Sequence, residues 1–273
     1  MMKNISRIIV AVGCACAFAG CAKYETEDTL TAQKRVREAW MRVHYGDAIQ
    51  PEANGLYILD QQSGTGEAVK DSSYCFVDYY MKDLDGNYVK YTTADMAKRM
   101  GTYSDTAYYS PKIWKLGDFD LYTPVQNILK EMKVGGHIQF LLPPDLTYYE
   151  VPKSLKNYYK TYGITDQPQG TENYIYAFVL KDVPNNMQQY ERNQLKAYAA
   201  ANYPGLDTLE DGFYFIKTKA VPEADTVADN ATVKVRYVCK LLDGFCFDTN
   251  IADTAKVYKR YNAARTYSAL SVS

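Results

Sequence analysis

The sequence predicts an α+β fold in which strands are arranged around one short helix. Three observations carry this. Leu121 to Tyr149 reads as a single helix followed at once by a strand. Several other runs alternate apolar and polar residues over four to eight positions, between turn signals. A pattern of aromatic residues, turns and short helices also occurs twice, with Asp243-Gly244 standing 158 residues after Asp85-Gly86. With a helix followed by its strand, the rest of the chain makes most sense as the sheet and walls around that helix.

The chain has 273 residues, enough for one large or two small domains. Its 31 basic and 32 acidic residues leave a net charge of −1, so the overall balance carries no nucleic-acid footprint. It contains 27 tyrosines. Tyrosine is stiff and amphipathic and is enriched at binding surfaces. It also simply replaces Phe in cores, and composition does not choose between the two.

Residues 1–20 read as a signal peptide: Lys3 and Arg7, the apolar run Ile8 to Ala17, then Phe18-Ala19-Gly20 before Cys21. The apolar run is too short to span a bilayer. A small-small-Cys ending resembles a bacterial lipobox, which makes Cys21 the lipidated N-terminus. An ordinary secretory cleavage near Ala19 is the other reading. Removal of the segment leaves 29 basic against 32 acidic residues, net −3. Among the later cysteines, Cys75, Cys239 and Cys246 match no metal or redox spacing and are expected to be free and buried. His44 and His137 stand far apart with no ligand cluster, so neither a metal nor a cofactor is expected.

Residues 21–29 are polar and acidic, a tether. A helix follows, with Thr31 as its cap and Ala32, Val36, Trp40 and Val43 as its apolar face; Lys34, Arg35, Arg37 and Arg42 crowd the rest. That basic side is either a solvated face or a contact for anionic headgroups. Gly55 to Leu59 and Tyr74 to Met81 are strands, and Asp85-Gly86 marks a hairpin. Thr92 to Met100 reads as helix, Thr102 to Ser110 as a Tyr-rich loop and Ile113 to Leu116 as a short strand. Thr123, Pro124 and Gln126 form a helix start with a capping box. Val125, Ile128, Leu129 and Met132 give that helix one apolar stripe, and Gly135-Gly136 stops it. Ile138, Phe140 and Leu142 alternate with polar His137 and Gln139, and Pro143-Pro144 ends the strand. Residues 150–172 read as a polar loop and Asn173 to Val183 as a closing strand.

Residues 184–211 hold a connecting helix capped by Asn186. From Gly212 the pattern returns: Gly212-Phe-Tyr-Phe-Ile216 echoes Gly55-Leu-Tyr-Ile-Leu59. Tyr79 aligns with Tyr237, Ala94-Asp95 with Ala252-Asp253, Tyr103 with Tyr261, and Tyr109-Ser110 with Tyr267-Ser268, all at the same offset. Ser273 aligns with Lys115, so residues 212–273 form an incomplete second copy that lacks a counterpart of 116–183. Such a fragment is expected to lean on the first copy or a partner, or to belong to a longer chain.

These residues resemble FKBP-type peptidyl-prolyl cis-trans isomerases. The resemblance rests on Leu129-Lys-Glu-Met-Lys-Val-Gly-Gly136 with Phe140-Leu-Leu-Pro-Pro-Asp-Leu-Thr-Tyr148, and on Gly55-Leu-Tyr-Ile with Gly64-Thr-Gly66. The second copy adds Leu242-Asp-Gly-Phe-Cys-Phe247-Asp248-Thr249. The resemblance implies the α+β class: an antiparallel sheet curled around the short helix, with the domain over 30–183 and a pocket between helix and concave face. It implies Tyr79, Tyr148 and Tyr176 as catalytic residues. Trp114, Val125, Val89, Tyr237, Phe247 and Asp248 fall at substrate-pocket positions. Val125 stands where the family commonly has Trp, and Val89-Lys90 where it has Phe-Asp. The implied partners are proline-containing segments of extracytoplasmic proteins, with attachment to the cell envelope (periplasmic or outer membrane) through the lipid on Cys21 and no nucleic acid. The second reading is a catalytically degenerate peptide- or protein-binding lipoprotein. The Ala94–Ser110 insertion, with Tyr103, Tyr108 and Tyr109, is either a lid over the pocket or a plain covering element.

Overall fold

The computed structural model describes residues 27–118, 121–148, 156–163, 170–206, 212–219 and 227–272. The signal peptide and Cys21 lie outside the described residues. In chain order the elements of the first copy are α1 Thr29–Tyr45, β1 Tyr57–Gln62, β2 Tyr74–Lys82, β3 Tyr88–Tyr91, α2 Ala94–Arg99, β4 Lys112–Lys115, α3 Thr123–Glu131, β5 His137–Leu142, α4 Lys156–Thr161 and β6 Tyr174–Asp182. α5 Met187–Asn202 follows. The second copy contributes β7 Val233–Val235, β8 Val238–Lys240, β9 Cys246–Thr249, α6 Ala252–Val257 and β10 Leu270–Val272.

The fold is α+β, as the sequence predicts. Its six-stranded sheet runs β1-β5-β6-β2-β3, and β4 also pairs with β2. Every pairing is antiparallel. Strand β2 organises it: one edge pairs along most of its length with β6, while the other is shared by β4 at Tyr74–Val77 and β3 at Tyr80–Lys82. Alternation then sorts side chains to two faces. Cys75, Val77, Ile138, Phe140, Leu142, Phe178 and Leu180 pack on Val125, Ile128 and Leu129 of α3. Leu141 and Ile175 point the other way and pack with Met41 of α1. The sheet is therefore covered on both faces.

Gly64 lets the β1–β2 connection lie flat against the turn after α3. A Cβ there would stand 2.3 Å from the Val134 carbonyl oxygen and 2.4 Å from the Gly136 nitrogen. Only a residue without Cβ fits so close a backbone approach.

Several expectations are corrected. α1 begins at Thr29, inside the stretch expected as tether, and its cap is Asp28, whose carboxylate accepts from the Thr31 amide at 3.0 Å. Val36 and Val43 are exposed; the docked face is Gln33, Arg37 and Met41, one residue round from the expected stripe. Arg37 is buried, with Nη1 3.3 Å from Asn173 Oδ1 and 3.6 Å from Asp145 Oδ1. Asn173 in turn donates to the Gln33 carbonyl oxygen at 2.9 Å. Trp40 of the expected stripe does pack against the cluster of Met41, Leu141 and Ile175, so a polar clasp and an apolar contact seat this helix together. The stretch expected as one long loop contains α4. No strand forms over 212–219, where Phe213, Phe215 and Ile216 are exposed. Its equivalent in the first copy, β1, pairs with β5.

The repeat is exact in register. Met81↔Lys90 in the first hairpin becomes Cys239↔Asp248 in the second, and Cys75↔Trp114 becomes Val233↔Val272. α6 is α2 shifted by the same 158 residues. Tyr109 Oη accepts from the Ser104 amide at 3.0 Å, and Tyr267 Oη from the Asn262 amide at 2.9 Å. Cys75 and Cys246 are buried and free, and Cys239 is half-buried and free.

Candidate functional site

A cavity of about 220 Å³ opens between α3 and the concave face of the sheet. Tyr79 and Met81 of β2, Tyr176 and Phe178 of β6, Trp114 of β4 and Val125 of α3 line it, with Leu121, Tyr122 and Lys90 completing the wall. Period two explains why β2 and β6 each give two neighbours on one face. The aromatic rings touch one another: Tyr79 to Trp114 at 5.3 Å, Trp114 to Phe178 at 5.5 Å, Tyr176 to Phe178 at 6.0 Å. Such tilted and edge contacts fix ring orientation as well as burying area.

The helix end of the cavity is held by Gln126, and not by the expected capping box. The residue before the helix is Tyr122, which makes no side-chain cap. Gln126 Oε1 accepts from the Gly117 amide at 2.9 Å, and Nε2 donates to the carbonyl oxygens of Asp118 at 3.2 Å and Leu121 at 3.0 Å. The side chain thus ties both ends of the β4–α3 loop to the helix and presents Leu121 and Tyr122 to the cavity.

The sequence-derived site residues divide into groups. Tyr79, Tyr176, Trp114 and Val125 come together around the cavity. Val125 is buried and supplies no ring, and the indole comes instead from Trp114 on β4. Val89 lies nearly half exposed and off the cavity, because alternation turns its neighbour Lys90 inward. Tyr148 does not line the cavity either; its carbonyl oxygen accepts from the Thr123 amide at 3.0 Å, seating the loop on the start of α3. Met81, Leu121, Tyr122 and Phe178 were missed. Period two from Tyr79 and Tyr176 points directly to Met81 and Phe178.

Tyr237, Phe247 and Asp248 belong to the second copy and do not reach this cavity. There Tyr237 Oη donates to Asp248 Oδ2 at 2.7 Å, and Arg265 Nη1 donates to Oδ1 at 2.7 Å. Arg265 and then Tyr237 hold the Asp248 carboxyl below the usual range, and the carboxylate raises the Tyr237 hydroxyl. A cleft of only about 60 Å³ lies beside them.

In the first copy the same positions differ. Lys90 stands at the place of Asp248 and Ala107 at that of Arg265. Among the described residues the Tyr79 hydroxyl has no hydrogen-bond partner and Lys90 no ion pair. Burial raises the Tyr79 pKa.

The insertion is not a lid. Tyr103 and Tyr109 stack on each other at 5.5 Å. Tyr108 turns to the second copy, its hydroxyl donating to Asp243 Oδ2 at 3.0 Å and its ring 4.8 Å from Phe245. Lys259 Nζ bonds Asp105 Oδ2 at 2.5 Å, and Arg260 Nη2 donates to the Thr106 carbonyl oxygen at 2.8 Å.

No family model and no curated protein matches the sequence. Among solved structures the chain is similar to FkpA from Escherichia coli, at 20% identity and a TM-score of 0.38 over 67% of this chain and 74% of that one. It is also similar to a peptidyl-prolyl cis-trans isomerase from Pseudomonas syringae pv. tomato, at 16% identity and 0.37, over 60% of this chain and 98% of that one. The three FKBP domains of wheat FKBP73 match at 14% identity and 0.31, over 47% and 45%.

Proposed function

We propose that this protein is an FKBP-like peptidyl-prolyl cis-trans isomerase, held in the bacterial cell envelope by a lipid on Cys21, that aids folding of extracytoplasmic proteins. The observation that supports this best is the cavity walled by Tyr79, Trp114, Tyr176 and Phe178 under α3, at the place where the motifs put a pocket.

The chemistry follows from the amide. Rotation about an X–Pro bond meets a barrier of about 18–20 kcal/mol because the planar amide must lose its resonance. The twisted amide is less dipolar than the planar one. Aromatic walls therefore favour it where its amide packs on them, and differential binding of that state is catalysis. No nucleophile is required. The Tyr79 hydroxyl, free of internal partners among the described residues, is placed to hydrogen-bond the peptide, and a donor aimed at the substrate orients the rotating bond.

A protease-coupled assay on X–Pro peptides, repeated by protease-free exchange NMR, tests the reading with the mature protein. Acceleration that disappears in Tyr79→Ala or Trp114→Ala, with folding retained, supports it. Absence of acceleration by folded protein removes it.

Lys90 favours a second reading, a module that binds proline-containing segments without turnover. It puts an ammonium where the family places a carboxylate. Peptide binding without acceleration selects this reading.

A further inference from the structure

The two copies differ in charge at one structurally equivalent place. In the second, the Asp248 carboxylate is closed off by the Tyr237 hydroxyl and the Arg265 guanidinium, each at 2.7 Å. In the first, Lys90 replaces the carboxylate and Ala107 the guanidinium. A neutral, internally satisfied pair has become one cation facing a cavity.

Lys90 pairs with Met81 across the hairpin and lines the cavity beside Met81 and Tyr79. The other walls are Trp114, Leu121, Tyr122, Val125, Tyr176 and Phe178. None of the lining side chains is a carboxylate. Among the described residues no acceptor engages the Lys90 ammonium or the Tyr79 hydroxyl. The cavity therefore offers the Lys90 ammonium and the Tyr79 hydroxyl as donors to whatever occupies it, and no lining carboxylate competes for the charge.

We propose that Lys90 makes this cavity selective for proline-containing segments that carry an acidic side chain beside the proline. This rests on reading the cavity as a prolyl-peptide site and adds the substrate class. The carboxylate meets Lys90 at the rim while the proline ring sits among the aromatics. Because Lys90 is exposed, the preference is that of a solvated ion pair, about two- to fivefold.

The test uses the intact mature protein and peptides differing only by Glu or Gln next to the proline, with kcat/KM as the readout. The Glu peptide is expected to be preferred about two- to fivefold at low salt. The preference vanishes in Lys90→Met, reverses in Lys90→Glu, and collapses near 1 M salt, where screening acts over about 3 Å. Equal kcat/KM for both peptides, or a ratio unchanged in Lys90→Met, overturns the inference and leaves the isomerase reading standing. If neither peptide is turned over, anisotropy of labelled peptides decides. Lys90-dependent preference for Glu in binding supports the inference while the isomerase reading falls. Absence of any binding overturns both. Thermal unfolding of each variant confirms that this exposed position leaves the fold intact.

Discussion

The Tyr79 ring lies 5.3 Å from the Trp114 indole and tilted by 41°, although Trp114 pairs in the sheet with Cys75, four residues earlier. The indole reaches along β2 to meet the tyrosine. This gives the cavity its ring from a strand, at a site where the helix offers only Val125.

Replacing that indole therefore has two separable effects. Trp114→Ala is expected to lower stability by about 3–5 kcal/mol, as large-to-small core substitutions of aromatics do. Trp114→Phe should lose less stability yet still weaken peptide binding. Urea unfolding and peptide titration measure the two.

Gly64 permits a contact that no side chain tolerates. Gly64→Ala puts a Cβ 2.3 Å from the Val134 oxygen, against backbone that cannot swing aside. We expect a loss of several kcal/mol or failure to fold, whereas Gly86→Ala, with open space around it and only its φ of 90° to strain it, should cost about 1–2 kcal/mol. Expression yield and unfolding midpoints distinguish them.

Arg37 is buried with its Nε lacking a partner among the described residues. Arg37→Ala removes the buried bond to Asn173 and the contact to half-exposed Asp145, and is expected to cost about 1.5–3 kcal/mol. Arg37→Met keeps the aliphatic volume and drops the unsatisfied nitrogen, so it should cost much less. Denaturant midpoints of the two variants check the order.

Asp248 has its carboxyl depressed by Arg265 first and Tyr237 second. A depressed acid stabilises the folded state above its unfolded pKa of about 3.9, and that contribution is lost as pH falls through the lower folded value. Carboxyl NMR of Asp248 should show a midpoint below the usual range. Arg265→Gln should move it upward, so that the second copy loosens at a higher pH.

The first-copy core was legible because period two and the α3 stripe both point at it. Ile138, Phe140, Leu142, Ile128 and Leu129 all lie where alternation and helical spacing put them. The cavity was half legible. Tyr79, Tyr176 and Trp114 follow from motif positions, but Tyr122 precedes a helix and obeys no period. Its place is set by Gln126, whose side chain serves the loop instead of its own helix cap. The docking of α1 was misread for a related reason. Apolar spacing places Trp40 correctly but also favours Val36 and Val43, whereas the hydrogen bonds of Arg37 and Gln33 to Asn173 turn the adjacent face inward. Periodicity reports where apolar area can go, and it is silent where a polar network outweighs it. The Tyr108 contact was invisible because it joins side chains 135 residues apart.

That contact has a consequence for assembly. The first copy's loop grips the second copy through Asp105, Thr106 and Tyr108, and the second receives it with Asp243, Phe245, Lys259 and Arg260. This is a head-to-tail joint between like units, the kind that propagates into open filaments when every unit carries both halves. Here the two copies do not carry the same halves. The receiving positions in the first copy are Asp85, Asn87, Gly101 and Thr102, and the gripping positions in the second are Ala263, Ala264 and Thr266. Apart from the acid kept at Asp85, grip and receiver are therefore divided between the copies, which gives the joint a direction.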